Sequence, residues 1–478
     1  MEKKMWKLIG AGLGVILLLA AALILLNNQT VEYDSGVTVF LDREPAEIRQ
    51  LTVTNGSGGF QVFYDDAEEG YVFDDIPVSL VDTGGFFTLM NHAGGFGALR
   101  TIEAHAKDLS VYGLAQPNAE VGVIYQDGTA FSLAVGAREP VSGNYYGRVL
   151  SEGFPQDTVY LFAEEDVICF LLQKEDYISD LVTPELMVSS PLSAVRNITF
   201  SGSALKQPVT VTAVSGAEEE TVLKAKSFGP ATHLVELKGC YELDQTYGIE
   251  VLGSVLGIRA LSVAGYNLTE EDLKDLGFED PYMQVDFSLK NGTDYIADYQ
   301  LRLVPRGEYY LASMLGSGAV FLIEPPAFVS LDPTRLCLRW FLSPLRTDLA
   351  DVTVEFDGER YVYTSDMEEG GEIEAFVNGE PLDREQFFRF YRLVTSAASD
   401  GQYLEDPVTE GEPLLTVTYH YNIEGKSPDV MELYPGSLRR VNVRINNVTE
   451  FDMRAAFIDA LKTACRHTLT GETVEETW

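Results

Sequence analysis

Five histidines, at positions 92, 105, 233, 420 and 467, and four cysteines, Cys169, Cys240, Cys337 and Cys465, are the chain's first candidates for metal ligation, proton transfer or nucleophilic attack. The histidines share no ligand-like spacing. His92 and His105, the nearest pair, stand thirteen apart, and each reads as a surface or capping residue. The cysteines form no C-x-x-C pair, so zinc and dithiol motifs are absent from the sequence. Cys169 (Val-Ile-Cys-Phe) and Cys337 (Leu-Cys-Leu) sit in apolar runs, as buried small hydrophobes do. There is no H-E-x-x-H, G-x-S-x-G, P-loop or helix-opening G-x-G-x-x-G. The 73 carboxylates are too many for any two to stand out as a glycosidase-like acid and base. The residues therefore predict no catalytic group, no cofactor and no resident metal, with an unrecognised hydrolase as the contrary reading.

Other conspicuous residues read as turns. The acidic runs 65–69 and 368–372 lack the alternating oxygens and distal Glu of a calcium loop, and predict solvated turns. The glycine-rich pieces 55–59 and 316–318 lie between alternating segments and predict hairpin tips. Sequons at Asn28, Asn55, Asn197, Asn267, Asn291 and Asn447 are read as turn asparagines. The Tyr145-Tyr146 and Tyr309-Tyr310 doublets could stack on sugar or peptide, but adjacent strand residues face opposite ways, so packing by one of each pair is the simpler reading.

The elements that must position these residues are set by composition and pattern. With 478 residues, 46% of them hydrophobic and 22% charged, the chain has material for two to four folded units. Its 34 basic against 73 acidic residues repel a phosphate backbone, so nucleic acid is a poor partner. Residues 8–26 hold no charged side chain, and as a helix would span about 28 Å. Lys3, Lys4 and Lys7 precede this run, in a tip (residues 1–7) whose one acid is Glu2. The positive-inside rule then predicts a cytoplasmic N-terminus and an uncleaved single-pass anchor in the lipid bilayer of a cell membrane. The rest of the chain, with 31 basic and 72 acidic residues, is predicted to be extracytoplasmic.

That body contains a repeat. Shifting residues 108–146 by 164 positions without a gap gives eleven identities in 39, where composition alone gives about two or three. Gly113, Pro117, Gly128, Tyr145 and Tyr146 fall on Gly277, Pro281, Gly292, Tyr309 and Tyr310, and Arg138 falls on Arg302. Each copy predicts a short helix ended by a left-handed glycine, a proline that forbids its resumption, an alternating strand, and an Asp-Gly or Asn-Gly hairpin. Upstream, strands at 48–54, 59–64 and 71–73 precede a helix within 81–99, and strands at 195–200, 209–214, 235–237 and 241–243 precede a helix near 249–258. A third, divergent copy is read from strands at 352–356 and 361–363, a helix whose Asp383 and Gln386 suggest a capping box, a strand from Leu415 and a closing helix at 451–465. The fold class is α+β, with modules of mainly antiparallel sheet at 44–187, 192–346 and 349–470, and a C-terminal tail at 471–478.

The anchor, the strand-rich modules and above all Leu-Ser-x-Tyr-Gly-Leu-x-x-Pro at 109–117 resemble the bacterial family named domain of unknown function 4340 (DUF4340). The likeness covers Glu47 to about Leu345 and is most specific over 100–180. It implies an extracytoplasmic accessory of an ABC-type export or gliding-motility-like complex, with a multi-pass permease or another envelope protein as partner. It carries over no catalytic residue. A free-standing envelope binder of glycan or peptide is the alternative.

Overall fold

The computed structural model describes residues 37–478 except 68, 187, 226–230, 293, 368–372, 401–403 and 405–406. The basic tip, the apolar run 8–26, Asn28 and the acidic run 368–372 lie outside the described residues. No helix among the described residues is long and apolar enough to cross a membrane.

The described chain is mostly antiparallel sheet with helices between the sheet halves. Its first strands are β1 (Thr38–Asp42), β2 (Ile48–Asn55), β3 (Gly58–Asp65), β4 (Gly70–Phe73), β5 (Gly95–Ala98), β6 (Arg100–Glu103), β7 (Ala119–Tyr125), β8 (Ala130–Arg138), β9 (Tyr145–Val149) and β10 (Val159–Phe162), with helix α1 (Thr83–Gly94) after β4. β1 pairs with β5, and the others form one sheet of order β4-β3-β2-β7-β8-β9-β10-β6.

The next set is β11 (Val195–Ser201), β12 (Val209–Ala213), β13 (His233–Glu236), β14 (Cys240–Glu242), β15 (Ser262–Gly265), β16 (Met283–Asn291), β17 (Asp294–Arg306), β18 (Tyr309–Met314) and β19 (Val320–Ile323), with α2 (Gln245–Gly253) after β14. Their order is β14-β13-β12-β11-β16-β17-β18-β19-β15. The last set is β20 (Leu349–Phe356), β21 (Glu359–Met367), β22 (Ile373–Val377), β23 (Glu380–Leu382), β24 (Leu415–Tyr421), β25 (Asp429–Pro435), β26 (Arg440–Ile445) and β27 (Val448–Arg454). Helix α3 (Arg384–Val394) comes after β23, α4 (Ala456–Thr470) closes the chain, and the order is β23-β22-β21-β20-β24-β25-β26-β27.

One plan governs all three sheets: a meander, a helix, a second meander, and antiparallel pairing of the two first strands at the centre, β2 with β7, β11 with β16, β20 with β24. Each central strand slips register at its second residue, Arg49, Arg196 or Ala350. That bulge sets the inward residues three and then two apart: Ile48, Leu51, Val53; Val195, Ile198, Phe200; Leu349, Val352, Val354, all buried. A single helical turn precedes each strand, at Pro45–Glu47, Pro191–Ala194 and Arg346–Asp348. The longest helix between the meanders of each module opens on an aspartate. Asp82 accepts from the backbone N–H of Gly84 and Gly85, Asp244 from Tyr247, and Asp383 from Glu385 and Gln386. Such a cap contributes about 1 kcal/mol.

Three local expectations are corrected. α2 starts at Gln245, not near Ile249, and stops by Gly253, because the Asp244 cap sets its origin. The closing helix starts at Ala456: Phe451 and Met453 are buried strand residues paired with Val443 and Val441 of β26. The capping box at Asp383 is only half formed, since the Gln386 side chain instead accepts the N–H of Val474. Residues 471–478 accordingly run back along α3, with Val474 fully buried, the Trp478 indole donating to Ser396 Oγ, and Glu476 2.7 Å from Arg392.

The segments between modules are extended straps that pair twice. Near the end of the first module Asp82 N donates to Tyr177 O, and Val81 bridges Ile178. The chain then pairs with the segment after α2, where Val182 N donates to Ile258 O and Ala260 N to Asp180 O. Leaving the second module, Asp244 N donates to Leu336 O and Leu338 N to Glu242 O; entering the third, Ser399 N donates to Arg339 O and Phe341 N to Ala397 O. β1 and β5 make the same lead-in pairing in the first module. The chain divides into two compact units between Ile178 and Ser179, and the second holds both the nine-stranded and the last eight-stranded sheet.

Candidate functional site

The strap leaving the second module builds one wall of a chemically mixed groove. It passes the N-terminal half of α2 and leaves an open groove of about 410 Å3. Asp244, Tyr247 and Glu250 line the α2 side, and Arg335, Cys337 and Arg339 the strap side. The strap's backbone is held by hydrogen bonds of 2.6–3.0 Å on both edges, so these side chains project from a fixed frame. The Arg335 guanidinium lies 4.0 Å from the Tyr247 ring centroid, and the Tyr247 hydroxyl accepts the Asp332 N–H at 3.1 Å. The Asp244 carboxylate is engaged by the Tyr247 N–H at 3.0 Å as the α2 cap. Cys337 forms the floor; burial, with Glu450 and Asp332 nearby, pushes its thiol well up, so it stands there neutral. Beside the groove, Glu242 is 9% exposed and its Oε2 has no hydrogen-bond partner. Burial pushes that carboxyl up to about 7.

These groove residues were not singled out by sequence reasoning. A signal existed: residues 333–347 hold Arg335, Arg339 and Arg346 and no acid, in a chain with 73 acids.

The repeat-motif residues lie elsewhere and have mechanical jobs. Gly113 (φ 69°) and Gly277 (φ 95°) adopt the left-handed cap, and Gly128 (φ 84°) and Gly292 (φ 63°) sit in the hairpins. The Gly113 passage, running to Pro117, buries Leu114 against Ala134 and Val159, with Leu109, Tyr112 and Tyr146 packed around them. The Gly277 passage, running to Pro281, buries Leu273 and Phe278 against Leu311 and Val320. Both passages therefore roof a small apolar patch on their own sheet.

Strand register corrects the ungapped match beyond the hairpin. Val121, opposite Val53, pairs with Leu133; its counterpart Val285, opposite Phe200, pairs with Leu301, a shift of 168 positions. The four residues gained by the second hairpin are lost from the next turn, which is 139–144 in the first copy and 307–308 in the second. By that shift Arg138 corresponds to Arg306, not Arg302, and a bulge between Val135 and Arg138, absent between β17 and β18, then puts Arg138 opposite Tyr145 and Arg306 opposite Tyr309. The doublets are also offset by one, for Tyr145 pairs with Phe162 while Tyr310 pairs with Ile323. Tyr145 is 9% exposed and Tyr309 40%, so the shared letters do not mark one shared binding surface.

Four histidines sit with surface or capping partners: His92 3.5 Å from Asp166, His105 2.8 Å from Asp157, His420 2.8 Å from Asp351, and His467 with the Thr473 carbonyl beyond α4. His233 differs from these four. It is buried beside the Val195 carbonyl, and burial lowers its pKa. Burial pushes the Cys169 and Cys465 thiols up to about 12. Among the asparagines, Asn267 (φ 55°) and Asn447 (φ 70°) are turn residues, whereas Asn197 lies inside β11. No cluster of three potential ligands among the described residues is arranged to hold a metal. No family model, no curated protein and no solved structure matches the chain.

Proposed function

We propose that this is a single-pass, extracytoplasmic accessory or scaffolding protein that acts by binding, held to the bilayer by residues 8–26 and docked on a multi-pass permease or another envelope protein. The observation that carries the reading is spacing. Eleven residues, 27–37, separate Leu26 from Thr38, where β1 is already zipped to β5 of the first module. Even fully extended, they reach no more than about 40 Å. A bilayer-embedded Leu26 would therefore keep the first sheet close to the membrane surface, within range of a membrane-embedded partner. The three Lys before the apolar run support the outward orientation. The likeness of 109–117 to domain of unknown function 4340 supports an ABC-type export or gliding-motility-like complex.

Crosslinking in intact membranes, and then purification of the full chain in mild detergent, tests this. Recovery of a multi-pass membrane protein is expected. Recovery of the chain alone over a range of crosslinker lengths would count against the proposal.

A further inference from the structure

We infer that the groove between α2 and the strap is a binding site for the carboxylate end of a short peptide. Three observations converge on it. First, the side chains of Arg335 and Arg339 make no hydrogen bond or ion pair with any described residue; their guanidinium groups lie over the rings of Tyr247 and Trp340. Acids outnumber bases about two to one here, and about half of the arginines of the described chain are taken by one, as Arg440 is by Asp400 and Asp452. Two that are not, four residues apart on one strap and opening on one groove, form an anion-binding pair. Second, the frame is prearranged. Hydrogen bonds from Ser399 N to Arg339 O (2.6 Å) and from Asp244 N to Leu336 O (2.7 Å) hold the strap, which lowers the ordering cost of binding. Third, the size is right, since about 410 Å3 lies within the range of small-ligand sites.

The ring in the groove separates peptide from sugar. A glycan platform needs an open aromatic face, but Tyr247 is 7% exposed and the Arg335 guanidinium lies 4.0 Å from its centroid. The groove instead presents cationic hydrogen-bonding capacity from two guanidinium groups, which suits a planar carboxylate. Glu250 is exposed on the same wall and opposes an anion there, whereas Asp244 is occupied by the helix cap. The site rests on the groove alone and would stand or fall independently of the membrane partner.

The test uses the full chain in mild detergent, titrated calorimetrically with Ala-Ala-Ala, its C-terminal amide, and a uronic acid disaccharide. The free acid should bind at least about tenfold more tightly than the amide, and more weakly as salt rises. The double variant R335Q/R339Q should lose the free acid by about tenfold or more, with R384Q, an arginine on α3, unchanged. E250Q should strengthen free-acid binding by about twofold to fivefold, which keeps the test decisive if the double variant misfolds. Equal binding of acid and amide, binding of the disaccharide instead, no binding of the acid, or an E250Q variant with unaltered affinity would each overturn the site.

Discussion

The Tyr241 hydroxyl donates a 2.7 Å hydrogen bond to the carboxylate of Glu450, a residue 209 positions away on β27. The same carboxylate accepts the backbone N–H groups of Lys238 and Gly239, each at 2.8 Å, in the turn between β13 and β14. Glu450 is fully buried, and its neighbour Phe451 stands edge-on to the Tyr241 ring at 5.2 Å. A side chain of the third sheet thus closes a hairpin of the second within the one compact unit that holds both sheets.

Replacing Glu450 with Gln removes charge-assisted bonds and turns an amide donor toward donors. The expected loss is about 3 kcal/mol, against about 1 kcal/mol for Tyr241→Phe. Denaturant unfolding of the full chain measures both. E450Q should also open the 343–348 segment to limited proteolysis, which Y241F should do far less.

The two cap glycines should differ. A Cβ on Gly113 would come within 2.7 Å of the Ala137 nitrogen, whereas one on Gly277 would meet only the Val304 side chain, no nearer than 3.4 Å. Both also carry positive φ. Gly277→Ala should therefore cost about 1 kcal/mol and Gly113→Ala about twice that or more. Thermal unfolding of the two variants decides it, and equal costs would contradict the close approach.

The three aspartate caps predict a matched series. Asp82→Ala, Asp244→Ala and Asp383→Ala should each destabilise by about 1 kcal/mol, with Asn at the same positions largely restoring stability. Denaturant midpoints report it.

Glu242 predicts a pH effect. Burial raises its carboxyl to about 7 in the folded chain, above the ordinary value of 4.5 that the unfolded chain has. Between these values the folded state holds a proton that the unfolded state has released, so stability is lost as pH rises from about 4.5 to about 7. The contribution, on the order of 1–3 kcal/mol, is fully present below that window. Comparing melting curves of the natural chain and Glu242→Gln across pH 4–8 isolates it: the difference should change across this window and be flat above it.

Much of the fold was legible locally. The alternation in β2, β7, β11, β16 and β20 and the turn glycines at 113, 128, 277 and 292 carry their structure in adjacent residues, and these segments form as expected. The hidden features depend on distant partners. The straps pair residue 182 with 258 and residue 339 with 399, and no local period records such pairing. Glu450 reads as a polar letter in Val-Thr-Glu-Phe until the β13–β14 turn is brought to it. The pattern puts α2 too late because Gly248 and Gly253 dilute its apolar period, while the signal that fixes it, Asp244, is one acid among many. The register change in β17 is masked by a compensating loss in the next turn, so the ungapped match survives a real structural shift. The groove escapes a sequence reading because its arginines are defined by the acids they lack.

The central claim is that the folded body lies outside the membrane, tethered at its start. External protease treatment of intact cells or spheroplasts, with alkaline carbonate extraction and antibody detection at both ends of the chain, tests it most directly. The account predicts that the body beyond residue 37 is digested from outside while a short N-terminal fragment stays in the extracted membrane. A body that is protected until the cells are lysed, or a chain released whole by carbonate, would contradict it.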